Sequence, residues 1–221
     1  MMKLSKKARS VAVVAGLVSA LAVGAVAYAD PPPGKGGGKP PKDPVPTTTT
    51  TTTAPTPPPE TVNTADSEFV AMMIPHHFQA TLMSQLAPER SGDQTLQAFA
   101  ERIDVEQSVE IGMMQNWQTW NDLEVTDAEM AYEMMLGMPM HVEHMGMATA
   151  EEMDALAASS GTDFDRMYLE LMIDHHEGAV DMLVDVLTNG SDTTLQFWAT
   201  DMLTAQSVQI DQMEQMLAAL G

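Results

Sequence analysis

Met72-Met73-Ile74-Pro75-His76-His77 and Leu171-Met172-Ile173-Asp174-His175-His176 decide the fold, because they are one motif written twice, 99 residues apart. The same offset aligns Ala80 with Ala179 and Met83 with Met182. It aligns Thr95-Leu96-Gln97 with Thr194-Leu195-Gln196, Ala100 with Ala199, and Ile111 with Ile210. It also aligns Gln107-Ser108-Val109 with Gln206-Ser207-Val208. Matches that stay in one register without a gap mark an internal duplication, with copies at 66–120 and 165–219.

Each copy reads as two helices. The first segment, 66–86, ends where Pro88 and Ser91-Gly92 interrupt the pattern, and 93–120 resumes it. In the second copy, 163–187 stops at Asn189-Gly190, and Asp192 can cap a last helix to 220. There Leu195, Trp198, Ala199, Met202, Ala205, Val208, Met213 and Met216 recur at three- and four-residue steps, which is one apolar stripe. Two hairpins with one stripe each bury those stripes against each other. The expected fold over 63–221 is therefore all-α, an antiparallel four-helix bundle. Between the copies, Thr126-x-x-Glu129 and Thr149-x-x-Glu152 have capping-box spacing and predict two short helices around a loop rich in Met and His.

Upstream of the bundle the composition changes twice. Lys3, Lys6, Lys7 and Arg9 form a basic start, 11–26 is apolar, and Ala27-Tyr28-Ala29 fits a signal-peptidase site. Residues 1–29 thus read as a signal peptide, and contact with a membrane is expected only through this segment if it stays uncleaved. Residues 30–62 hold Pro31-Pro32-Pro33, Gly36-Gly37-Gly38, a run of threonines at 47–53 and Pro57-Pro58-Pro59. A chain of that composition has no core to bury and reads as a disordered linker, a spacer suited to crossing a cell wall. The expected location is secreted or extracytoplasmic.

Charge and cysteine content narrow the function. From residue 60 onward Arg90, Arg102 and Arg166 stand against 29 acidic residues. No basic footprint exists for nucleic acid, whereas a field of this sign attracts cations. The absence of cysteine removes disulfides, thiolate metal sites and a cysteine nucleophile. Methionine is the outlier, since 19 of 21 fall after residue 60 together with all six histidines.

Those histidines sit among methionines in both copies. Met72 and Met73 precede His76-His77, and Met83 follows one face on; Met172 precedes His175-His176, and Met182 follows. Consecutive helical side chains diverge by about 100°, so one ring of each pair can face the bundle axis while the other reaches a neighbouring helix or solvent. Imidazole and thioether without thiolate suit Cu(I) better than zinc, magnesium or calcium. The plainer reading is that methionine fills the core and buried histidines bond carboxylates. A second cluster, Met138, Met140, His141, His144, Met145 and Met147, lies in ten residues with Pro139 and Gly146. It reads as a flexible capture loop for Cu(I), or as a loop that methionines seat on the bundle.

A di-iron site needs Glu-x-x-His on two helices, and the chain contains none. Glu106 and Glu110 could point inward, but Ala205 and Gln209 replace them at the offset of 99. No nucleophile motif is present, so no enzyme activity is expected.

At these residues the chain resembles the family called domain of unknown function 305. The resemblance rests on 72–77, on Phe164-Asp165-Arg166, and on Leu171 through Asp174-His175-His176-Glu177-Gly178-Ala179, with His144-Met145-Gly146-Met147 as a central element. It covers about 66–219 and implies a ferritin-like four-helix fold, export from a bacterium, and in some members copper binding through His and Met. The first copy departs from the pattern: Phe78-Gln79 stands where the second has Glu177-Gly178. Extracellular Cu(I) sequestration or buffering is the leading expectation, and a metal-free structural or surface-interaction helical bundle is the alternative.

Overall fold

The computed structural model describes residues 62–221. The signal peptide at 1–29 lies outside them, as does the linker at 30–62 except for Val62. Among the described residues the secondary structure is entirely helical. The elements are α1 (Thr64–Ser84), α2 (Ala87–Arg90), α3 (Gln94–Trp120), α4 (Ala128–Leu136), α5 (Pro139–His144), α6 (Ala150–Ala158), α7 (Thr162–Asn189) and α8 (Thr193–Ala219). None is long and apolar enough to cross a membrane.

The helix starts follow local chemistry. Asn63 accepts from the Asp66 N–H while the Asp66 carboxylate accepts from the Asn63 N–H, closing a capping box on α1. Asp93 and Asp192 cap α3 and α8 at equivalent points of the two copies. Thr149 and Glu152 form the expected capping box on α6. At α4 the expectation fails by one residue. Asp127 is the cap, because the hydroxyl and backbone N–H of Thr126 are taken by the Gln118 amide. Pro75 lies inside α1, which stays one continuous element.

The long helices α1, α3, α7 and α8 form the bundle. α1 packs on α3, α7 on α8, and α1 on α7. Contacts at both ends show that α1 and α7 are antiparallel. The Asp66 carboxylate, at the start of α1, accepts from Ser191 and Asp192 just beyond the end of α7. At the other end Ser84 and Tyr168 share a hydrogen bond of 3.0 Å. Since α3 is antiparallel to α1, the connection from α3 to α7 must travel the length of the bundle, a crossover of the ferritin type. α4, α5 and α6 lie on that crossover.

The core is two apolar clusters with a polar layer between them. Ala80, Met83, Ile103, Leu169, Met172 and Met213 belong to one. Val70, Met73, Met114, Leu183 and Met202 belong to the other. Met73 and Met172, each three residues before a histidine pair, fall in opposite clusters because their helices run in opposite directions. A third cluster seats the crossover on the bundle through Tyr132, Met135, Val142, Met145 and Met147.

Candidate metal centre

Between the two apolar clusters, α1 and α7 cross at their histidine pairs. His76, His77, His175 and His176 are all fully buried. The rings of His76 and His175, equivalent residues of the two copies, lie 3.7 Å apart at a tilt of 32°. Neighbouring rings within each pair are 6.2 Å apart on α1 and 6.1 Å on α7. His76 and His175 meet each other while His77 and His176 face the neighbouring helices α3 and α8, so all four stay inside the bundle.

One nitrogen of each ring faces an oxygen. His76 Nε2 donates to the Met145 carbonyl at 3.0 Å, and His175 Nε2 donates to the His76 carbonyl at 2.8 Å. His176 Nε2 donates to Gln209 Oε1 at 2.8 Å, and the Gln209 amide donates in turn to Glu106. His77 Nε2 lies 2.9 Å from Glu110 Oε2, off the line of a straight hydrogen bond. Glu110 and Gln209 are themselves equivalent residues. The substitution that argued against a di-iron site thus marks the outer partner of each histidine pair.

These contacts fix the tautomer. A carbonyl only accepts, so Nε2 of His76 and His175 carries the proton and Nδ1 the lone pair. All four Nδ1 atoms are buried without a hydrogen-bond partner among the described residues. The Met172 carbonyl lies near His176 without a well-formed bond to its Nδ1. His76, His175 and His176 are held neutral. Burial drives His76 down to about 3, helped by repulsion from His77 and opposed by the Met145 carbonyl. Burial likewise holds His175 well below its ordinary value, with His76 and His176 adding repulsion. For His176 burial dominates the pull from Gln209, leaving it at about 4.

Gln107 and Gln206, another equivalent pair, are buried in the middle of α3 and α8. Both amide atoms of Gln107 and the oxygen of Gln206 lack partners. Native cores leave few buried polar groups unmade, since each costs about 1–3 kcal/mol. Gln107 and Gln206 each stand three residues before Glu110 and Gln209, which face the outer histidines.

The crossover covers this layer. Its backbone passes between α1 and α7 at 145–148. Gln79 holds it on one side, accepting from the Ala148 N–H at 2.8 Å and donating to the Ala148 carbonyl at 2.7 Å. Gly178, the equivalent of Gln79, admits it on the other, where a Cβ would lie 1.8 Å from the Met145 carbonyl oxygen. At Gly146, with φ +67°, an added Cβ would collide with the Asp174 carbonyl. The departure between the copies at 79 and 178 is therefore where one crossing strap is seated. Glu177 is exposed; the histidine partners are Glu110 and Gln209.

The remaining expected ligands separate into groups. Met73, Met83 and Met172 are buried in the apolar clusters. Met72, Met182, Met145, His141 and His144 line a surface cleft. Met147 is buried in the cluster under the crossover, and Met138 and Met140 are exposed. The segment expected to be a flexible loop contains a short helix, α5, started by Pro139. Among the described residues no three His, Asp or Glu side chains converge on one point. Sequence reasoning passed over Gln79, Gly178 and the glutamine pair as site residues, although the break in the repeat and its shared Gln-Ser-Val were the signals for them.

The fold and site define an all-α class, a four-helix bundle with a buried histidine layer closed by its own crossover. The chain belongs to the family described as domain of unknown function (DUF305), which matches residues 66–217. A DUF305 protein of Streptomyces coelicolor, described as secreted, is similar at 30% identity and a TM-score of 0.62, over 71% of this chain and 94% of that one. A DUF305 fragment of Deinococcus radiodurans is similar at 27% identity and a TM-score of 0.64, over 73% and 99%. CopM in its Cu(I)-bound form is similar at 30% identity and a TM-score of 0.53, over 68% and 93%; Cu(II)- and Ag-bound forms of CopM are also known. No functionally curated protein matches the chain.

Proposed function

We propose that the protein is an extracytoplasmic copper-binding protein that sequesters or buffers Cu(I) in the histidine layer without turnover. The observation that carries this reading is the set of four buried Nδ1 atoms without a hydrogen-bond partner, with the lone pair fixed on Nδ1 in His76 and His175. A bundle built only for packing gains nothing from them. A soft monovalent ion would take those lone pairs and repay their desolvation. With metal–imidazole bonds of about 2 Å, one ion between two rings sets their centres about 6 Å apart, which matches the spacing within each consecutive pair. CopM in Cu(I)- and Ag-bound forms supports copper as the ion. The expected signal peptide and the secreted relative support a place outside the membrane.

The competing reading is a structural bundle, favoured by the internal bonds that most of the Nε2 atoms already make. An anaerobic Cu(I) titration of the full chain against a chromophoric chelator separates the two, beside a variant with all four histidines changed to Asn. Tight binding that the folded variant loses supports the layer. Absence of competitive binding by the parent chain leaves the structural reading. Should the variant not fold, the melting temperature of the parent decides, because a ligand bound only to the native state raises it.

A further inference from the structure

The bundle is packed on three sides and bridged on the fourth. α1 packs on α3, α7 on α8 and α1 on α7, whereas α3 and α8 stand farther apart. Two side-chain bonds join them: the Gln209 amide donates to Glu106, and Arg102 donates to Gln212 Oε1 at 2.6 Å. Both bonds lie on one half of the seam. At the offset of 99 residues Glu106 becomes Ala205 and Arg102 becomes Asp201, and these two replacements are exposed. Ala205 has no side-chain polar group to bridge with. The other half of the seam, where Glu110 holds the place that Gln209 holds in the first, therefore lacks this latch. Glu110 keeps 21% of its side chain exposed, while His77, 2.9 Å away, is fully buried. Gln107 and Gln206 stand one turn from Glu110 and Gln209 on the same helix faces, with buried amide atoms that have no partner.

We propose that this unlatched half of the seam is the port through which solvent and a small cation reach the histidine layer, with Glu110 at its mouth. The part that concerns the cation rests on reading the layer as a metal centre. All four rings are fully buried, so whatever reaches them passes between helices. The strap closes the α1–α7 side, with two bonds from Gln79 and a close fit at Gly178. Packed helices close the sides between α1 and α3 and between α7 and α8. The α3–α8 side alone presents a carboxylate that is exposed at its edge and in contact with a buried ring. Water entering there satisfies the amide atoms of Gln107 and Gln206, the role that internal water plays beside buried polar groups. The exchange of Arg102 for Asp201 turns the local field from one that repels cations into one that attracts them. Glu110 also offsets the charge of a cation taken out of water.

The test labels the metal-free full chain with diethyl pyrocarbonate, which attacks unprotonated imidazole nitrogen, and maps each histidine by tandem mass spectrometry. The port predicts that His77 reacts faster than His76 and His175. Ala205→Gln supplies the missing latch, since its amide can donate to Glu110 as Gln209 donates to Glu106. Ala205 is exposed, so the fold is expected to survive. His77 should then react about tenfold more slowly, because a hydrogen bond to a carboxylate must break before the seam opens. Gln79→Ala, which loosens the strap, should leave the His77 rate unchanged. Equal reactivity of His77, His76 and His175 overturns the port, and so does a His77 rate that Ala205→Gln leaves alone or that Gln79→Ala raises. The rate of Ag(I) uptake, followed by NMR of the buried histidine rings, then tests passage of the cation. Slower uptake in Ala205→Gln supports entry by this route, and uptake at the parent's rate overturns it. Ring signals that never move with Ag(I) sink the metal centre, and the labelling still decides the port.

Discussion

His175 donates from Nε2 to the main-chain oxygen of His76, its own counterpart in the other copy, at 2.8 Å, while the two tilted rings lie 3.7 Å apart. The reciprocal bond is missing: His76 donates to the Met145 carbonyl of the crossover instead. The twofold of the duplication is broken at its centre, on the side where the strap enters.

That arrangement makes stability pH-dependent with a defined sign. His76, His175 and His176 have pKa values below the ordinary 6.5 in the folded chain, with His76 at about 3 and His176 at about 4. Below pH 6.5 the unfolded chain takes up protons that the folded chain refuses. Stability is therefore fully present above pH 6.5 and is lost as pH falls toward the folded values. Each such histidine contributes about 1.4 kcal/mol per pH unit in that window. The urea midpoint of the metal-free protein should drop steeply between pH 6.5 and 5, and a flat midpoint would contradict neutral buried rings.

Gly178→Ala should unseat the crossover. The added Cβ meets the Met145 carbonyl, and a backbone atom can yield only by moving the strap. A loss of about 2 kcal/mol or more is expected, with faster amide hydrogen exchange over 138–148. Gly112 is the control, because a Cβ there meets nothing within 4 Å. Gly112→Ala in the middle of α3 should stabilise by about 0.5–1 kcal/mol.

Gln79→Ala tests the opposite edge of the strap. It removes two buried bonds to Ala148 and leaves that N–H and carbonyl unmade. The expected cost is about 2–4 kcal/mol, again with exchange rising first at 145–148. Unchanged exchange there would mean the strap is held by its apolar contacts alone.

Asp66→Asn tests how the bundle is closed at one end. The carboxylate takes N–H groups from Asn63, Ser191 and Asp192 and the Ser191 hydroxyl. An amide keeps one acceptor and turns the other into a donor facing donors. A loss of about 2 kcal/mol or more in chemical denaturation is expected.

The four long helices were legible because hydrophobic periodicity is a local signal. Helix boundaries came within two or three residues wherever Asp, Asn or Gly punctuated the chain, as at Asp192 and Gly190. The crossover was not legible in the same way. Whether Met145 is a loop residue or a bond partner of His76 depends on a contact between residues 69 apart. Glu110 and Gln209 looked like a disagreement between the copies, yet a carboxylate and an amide oxygen can each accept from an imidazole N–H. That Met72 and Met182 line the surface cleft follows from which side of each helix the bundle buries. A spacing of seven residues between His175 and Met182 does not reveal that.

The most direct test of the account follows the imidazole nitrogens themselves, by NMR of nitrogen-15-labelled histidine during loading of the full chain with Ag(I) or anaerobic Cu(I). The account predicts that in the free protein Nε2 of His76 and His175 is protonated and Nδ1 bears the lone pair. It predicts that Nδ1 resonances in the buried layer shift strongly on loading while Nε2 keeps its proton and its carbonyl. Buried Nδ1 resonances that do not move under saturating metal would contradict a metal centre in the layer and leave the four histidines as the polar seam of a structural bundle.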